Sequence, residues 1–195
     1  MARPRRSEAT RETLLALGVK LFASQGYHGT GLKQILDEAG VPKGSFYNYF
    51  SSKENFCAET VSYYSEFLQH RIVQAEGDTP VAKLLDIHRG LLTLLQQQDT
   101  PSGCLLGSLA SETGAAQGQL QTAICEGFTA WIARYVTLFE QAQAQGLLRD
   151  DLSAVDLTHI YINQWHGAIE QYLLDRDGAR VMTSMEQVLT ILMRA

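Results

Sequence analysis

Between residues 43 and 53 the chain sets lysine, glycine, serine, asparagine and tyrosine on one side of a short predicted helix. Phe46 and Phe50 lie one turn apart and must face a core. At about 100° per residue this sends Gly44 and Asn48 straight outward, with Ser45 and Tyr47 on the flanks. Lys43 and Lys53 bracket the set. Such a face suits the major groove of a nucleic acid. Glycine lets the backbone come close, Asn48 and Ser45 can meet base edges, and lysine and tyrosine can hold phosphates. The competing reading is a helical hairpin with an ordinary polar face.

Cys104 is the second candidate for chemistry, within Ser102-Gly103-Cys104-Leu105-Leu106-Gly107-Ser108-Leu109-Ala110-Ser111-Glu112. It stands at a predicted helix start, where free N–H groups and the helix dipole favour a thiolate. The alternative is a small apolar plug in a pocket wall. Cys57 and Cys125 fall inside predicted helices, where no free N–H groups support a thiolate. No lysine follows Lys83, so a Cys–Lys crosslink to the later helices is impossible. Cationic support for Cys104 must come from Arg89, Arg134 or a histidine. His88, His159 and His166 could bond a ligand or sit as satisfied polar residues of a core. Trp131, Tyr135 and Trp165 line a pocket or fill the core. A thiol-based enzyme or a redox adaptor using Cys104 is the rival class. No spacing singles out a Cys–His pair, and no phosphate loop, metal cluster or paired catalytic acids appear. Neither rival has a use for the Lys43–Lys53 face. The expected set of cofactors and metals is empty, with no catalytic residues.

The elements that must position these residues read as helices throughout. Thr30 is the expected N-cap of a helix carrying Leu32, Ile35, Leu36 and Ala39 on one apolar face. Gly40 breaks it, Val41 plugs the corner, and Pro42 starts the next helix, where its missing N–H costs nothing. A long connector is expected over 53–76, then a helix over 80–98 with Thr79 as N-cap and Pro80 at its first position. A loop at 99–103 precedes a short helix through about residue 111, and Gly114 breaks it. Leu120, Ile124, Phe128, Trp131, Tyr135, Leu138 and Ala142 predict a helix ending at Gly146. Ser153 and Asp156 resemble a capping box opening a helix over 154–174. Val155, Ile160, Ile162, Trp165, Ile169, Tyr172 and Leu173 exceed one narrow face of that helix, so it is central in its domain or shared with a partner. Val181, Met185, Val188, Leu189 and Leu192 form one stripe of a last helix over 180–194.

Charge divides the chain. Residues 1–55 hold eight Lys/Arg and five Asp/Glu, a net of +3, so the remaining residues carry −8 of the overall −5. A pI near 5.5 taken alone would argue against nucleic acid, and the asymmetry removes that objection. Arg3, Arg5 and Arg6 form a short leading arm, too polar for a signal peptide and able to reach a minor groove or to fray. The 195 residues can bury one substantial core plus a small accessory domain, and no apolar run is long enough to span a bilayer. Three widely spaced cysteines make neither a disulfide framework nor a zinc pattern and fit a reducing cytoplasm.

The run GYHGTGLKQILDEAGVPKGSFYNYFSSKENF, with Leu14, Leu15, Leu21 and Phe22 before it, resembles the DNA-binding signature of the TetR family of one-component transcriptional regulators. The match covers about the first quarter of the chain. Gly31 stands where the family usually has Ser or Thr, and Pro42 replaces the usual Ser. The resemblance implies an all-α fold of about nine helices, with a helix-turn-helix head at 1–52 and a ligand-sensing and dimerisation domain at 53–195. Carried over by position, DNA contacts fall on Lys43, Gly44, Ser45, Tyr47, Asn48, Tyr49 and Lys53, with Thr30 and Lys33 at the edge. The last two helices would form a four-helix interface with a second copy, here assigned to Ile169, Val188 and Leu192. A two-fold dimer also follows from DNA physics, since one short helix reads too few base pairs and two can read a palindromic operator. The stretch around Cys104 is similar to the GCL-x-G-[NS]-L motif of a subgroup that includes N-ethylmaleimide- and acrylate-responsive repressors. That similarity implies a cysteine sensing a small inducer such as an unsaturated carbonyl, quinone or oxidant.

Overall fold

The computed structural model describes residues 6–98, 102–114 and 117–193, the side chains from residue 8 onward. The arm at Arg3 and Arg5 and part of the 99–103 loop lie outside the described residues. Nine helices are described: α1 (Arg6–Gly29), α2 (Leu32–Ala39), α3 (Lys43–Phe46), α4 (Lys53–Val73), α5 (Pro80–Gln96), α6 (Leu105–Thr113), α7 (Gln119–Ala144), α8 (Ala154–Asp175) and α9 (Gly178–Leu192). Among the described residues the one β feature is an isolated bridge between Leu148 and Met193, and no helix is long and apolar enough to cross a membrane.

The chain forms two compact units, 1–65 with 104–127, and 66–103 with 128–195. The expected domain boundary at 52/53 falls inside the first unit, which also takes in α6 and the start of α7.

In the first unit α1 packs on α2 and α6. Its core joins Leu14, Leu21, Phe22, Ile35, Phe46, Phe50, Phe56, Leu106 and Leu109, all nearly inaccessible. Four rings interlock: Phe56 lies 5.6 Å from Phe22, 5.5 Å from Phe46 and 4.8 Å from Phe50. A helix of eight residues such as α2 is marginal by itself, so this packing is what holds α2 and the four-residue α3 in place. Gly40, at φ 62°, ends α2 in the left-handed region, and the Val41 N–H returns to the Leu36 carbonyl at 3.0 Å. α3 begins at Lys43, with Pro42 as the residue before the helix, and its turns continue through Phe50, whose N–H bonds to the Phe46 carbonyl at 3.0 Å.

Thr30 is corrected. The residue before α2 is Gly31, with no side-chain cap, and Thr30 is fully buried. α1 breaks at Gly26, φ 72°, and the Thr30 hydroxyl turns back to donate to the carbonyls of Gly26 (2.7 Å) and Leu21 (3.2 Å). Its hydroxyl thus closes the broken end of α1.

In the second unit α9 packs against α5 and α8. Thr79 caps α5, accepting from the Ala82 N–H at 3.1 Å. Ser153 caps α8 the same way, with the Asp156 carboxylate 2.6 Å from the Ser153 hydroxyl. The core gathers Leu84, Ile87, Trp131, Tyr135, Phe139, Leu157, Tyr161, Trp165, Met185 and Leu189.

Candidate DNA-recognition face and ligand-sensing elements

The recognition segment turns its residues as the 100° spacing requires. Phe46 and Phe50 are buried, Lys43, Gly44, Tyr47 and Asn48 are exposed, and Ser45 and Tyr49 are half-buried. A Cβ added at Gly44 would meet nothing within 4 Å, so no neighbour within the chain demands glycine there. Lys33 is exposed on α2 and paired with Asp37 at 2.9 Å, which raises its pKa.

Lys53 is half-buried at the start of α4. Its Nζ donates to the Tyr27 carbonyl at 2.6 Å and lies 4.4 Å from the centre of the Tyr27 ring. Burial lowers its pKa. The ammonium therefore fastens the start of α4 to the end of α1.

Sequence reasoning missed Glu112. At the C-terminal end of α6, its carboxylate accepts from the Tyr27 N–H (2.6 Å) and the His28 N–H (2.7 Å). These N–H groups open the turn that follows the Gly26 break, so a carboxylate caps them as an N-cap residue would. A Cβ at Gly26 would clash with a Glu112 carboxylate oxygen, which ties glycine to this contact as well as to its positive φ. The signal is long-range, 84 and 85 residues apart in the chain, and has no local motif.

Cys104 is the residue that caps α6 at the other end, with extended backbone (φ −66°, ψ 123°) and a half-buried side chain. Its carbonyl accepts from the Ser108 N–H at 2.9 Å. One nine-residue helix thus joins Cys104 to Glu112. Cys57 is buried, and burial pushes its thiol up to about 12 despite Lys53, so it is inert as a nucleophile at neutral pH. Cys125 is exposed within α7, and none of the three cysteines is in a disulfide.

In the second unit His88 is enclosed by aromatic residues. Its Nδ1 lies 2.9 Å from the Leu84 carbonyl and 3.0 Å from the Tyr161 hydroxyl, and its Nε2 lies 3.3 Å from the Tyr135 hydroxyl. Trp165 lies tilted against its ring, 4.4 Å between ring centres. Burial pushes the pKa of His88 down to about 3, so the ring is neutral. Tyr135 and Trp165 therefore wall a fully satisfied buried histidine. Trp131 differs: it is buried, but its Nε1–H has no hydrogen-bond partner. His159 is exposed on α8, as are Arg89 and Arg134 on their helices.

The three residues assigned to the dimer interface lie on α8 and α9. Ile169 (2 % exposed), Val188 (9 %) and Leu192 (3 %) are buried within a single chain. The apolar stripe of α9 faces α5 and α8, because the most hydrophobic side of a helix closes its own core first. What the last two helices leave uncovered is Val155, Ile160, Leu174 (88 %) and Ile191 (71 %).

Comparison with known proteins agrees with this geometry. Residues 14–60 match the model of the TetR family of bacterial regulatory proteins, and residues 80–188 match the tetracyclin repressor-like C-terminal domain. The transcriptional repressor DhaR of Mycobacterium sp. (strain GP1) is 29 % identical over 95 % of this chain and 91 % of its own. The transcriptional regulator AcuR of Cereibacter sphaeroides is 32 % identical over 81 % of this chain and 74 % of its own. The crystal structure of the reduced form of E. coli NemR superposes with a TM-score of 0.81 at 28 % identity, covering 95 % of this chain and 97 % of that one. With its helix-turn-helix head, its C-terminal ligand-binding domain and its GCL motif, the chain belongs to the TetR family of dimeric, operator-binding transcriptional repressors, in the NemR-like subgroup.

Proposed function

We propose that this repressor reads its operator with Lys43, Gly44, Ser45, Tyr47, Asn48 and Tyr49, and releases it when a small electrophile engages Cys104. The observation that carries the reading is the division of one short segment into a buried Phe46–Phe50 side and an exposed Lys43–Gly44–Asn48 side. Asn48 is the candidate for base-edge hydrogen bonds, and Lys43 with the tyrosines for phosphates. Residues 1–52 serve DNA and residues 53–195 serve sensing and dimerisation, with α6 as the link between them. The protein works in the cytoplasm, where its cysteines stay reduced.

Support for sensing comes from α6. Cys104 sits where its N-terminal N–H groups favour a thiolate, and Glu112 at the other end holds the turn that leads into α2. The thiolate adds to the β-carbon of an unsaturated carbonyl. A C–S bond forms, the C=C π pair moves to the α-carbon and carbonyl oxygen, and water returns the proton. A rearranged α6 start that shifts Glu112 would favour the state with poorly placed DNA heads. An effector acts only through such a difference in affinity for two states.

The recognition face is tested by operator selection and salt titration. Asn48→Ala should relax base preference, costing about 1–3 kcal/mol at the best site. Lys43→Ala should weaken all sites alike and reduce the salt slope by about one ion. Parental affinity and salt slope in both variants would refute the assignment.

A further inference from the structure

We propose that Trp131 and His166 form the hydrogen-bonding end of an inducer site that takes an uncharged, flat molecule through one acceptor oxygen. The inference rests on the reading that a small molecule controls this chain, and it adds the class of that molecule.

Two buried polar atoms of the second unit carry the argument. Trp131 is 2 % exposed, and its Nε1–H, which can only donate, has no partner. The Nε2 of His166 is equally inaccessible and also has none. Their rings lie 5.4 Å apart between centres. Buried polar groups in folded proteins are nearly always paired, so two orphans on adjacent rings mark a place where an outside atom completes the set. The contrast with His88 is direct, because every polar atom of that ring already has protein partners. A carbonyl oxygen has two lone pairs and can accept from the indole N–H and an Nε2–H together.

The same rings set the ligand's charge and shape. Burial lowers the pKa of His166 and holds His88 near 3, so both imidazoles are neutral at pH 7. Arg134, one turn from Trp131, and His159, two turns from His166, are exposed. A carboxylate would lose its water here with neither Arg134 nor His159 turned inward to meet it, whereas a neutral acceptor gives up far less. Phe128 lies 6.3 Å from Trp131 and 5.9 Å from His166, and Tyr135 lies edge-on to Trp131 at 5.7 Å. These faces favour a planar, apolar body.

The test uses the full-length protein and three probes of similar size: acetophenone, benzoate and ethylbenzene. Acetophenone has one carbonyl and no activated double bond, so cysteine addition does not enter. By calorimetry, acetophenone should bind at least tenfold more tightly than either comparator. Trp131→Phe and His166→Phe, which keep a ring and remove the polar atom, should each weaken it about tenfold, and Arg134→Ala should change nothing. The proposal is overturned if benzoate binds as well as acetophenone, if acetophenone shows no saturable binding, or if either ring variant binds as the parent does. Should circular dichroism show Trp131→Phe misfolded, the half-buried His166→Phe decides the matter. Operator binding by the unliganded parent, followed by fluorescence anisotropy, reports on the regulator reading separately.

Discussion

Glu112→Ala is the perturbation with the most to reveal, because it removes a long-range contact and leaves the DNA-facing residues untouched. The carboxylate accepts two backbone N–H bonds, at 2.6 and 2.7 Å. A charge-assisted hydrogen bond contributes about 1.5–3 kcal/mol, but each of these is worth about 1 kcal/mol because Glu112 is exposed to solvent and water can replace it. The pair is therefore worth about 2 kcal/mol in total, allowing for that replacement. A loss of this size lowers the melting temperature by about 4–8 °C in a chain of this length. If the loss falls on the arrangement of the head, it weakens operator binding about 30-fold. Glu112→Gln keeps one acceptor oxygen but no charge and should lie between the two. The assay is fluorescence anisotropy on operator DNA beside thermal melts of the same preparations. Operator affinity within twofold of the parent in Glu112→Ala would refute the clamp, whatever the melting temperature does.

Three more predictions follow from the same structure. Lowering the pH should destabilise the protein through His88: its folded pKa near 3 lies below the usual 6.5, so the neutral ring's stabilisation is complete above 6.5 and lost progressively as pH falls toward 3. The loss is about 2 kcal/mol by pH 5, and thermal melts of His88→Gln should show a flatter slope between pH 7 and 5. Gly44→Ala should leave the melting temperature unchanged or slightly higher, since its new methyl meets nothing, yet weaken operator binding by crowding the DNA-facing backbone; unchanged affinity would count against close approach there. Ile191→Asp, at an exposed position, should yield folded monomer in sedimentation, whereas Leu192→Asp should unfold by burying an unpaired charge. A dimeric Ile191→Asp protein would move the interface off this part of α9.

The buried and exposed sides of the Lys43–Phe50 segment were legible because their geometry is local. Two phenylalanines one turn apart fix a direction, and every neighbour follows from 100° steps, as Phe46, Gly44 and Asn48 show. The caps at Thr79 and Ser153 were legible for the same reason. Thr30 misled because an N-cap residue type was read without the break at Gly26, which turns its hydroxyl back toward α1. Periodicity also cannot say whether an apolar stripe meets its own core or a partner, and Val188 and Leu192 lie on the core side. Glu112 and the polar cage of His88 join residues tens of positions apart, so they are visible only after folding.

In the proposed mechanism Cys104 converts a chemical event into release of DNA. This step is tested most directly by adding methyl vinyl ketone to the preformed operator complex, with anisotropy and intact mass read on the same samples. The parent should gain one adduct, mapped to Cys104, as it leaves the operator, and Cys57→Ser and Cys125→Ser should behave like it. Cys104→Ser should bind as the parent does and stay bound. Release of Cys104→Ser at the parent's concentration of ketone would contradict the account.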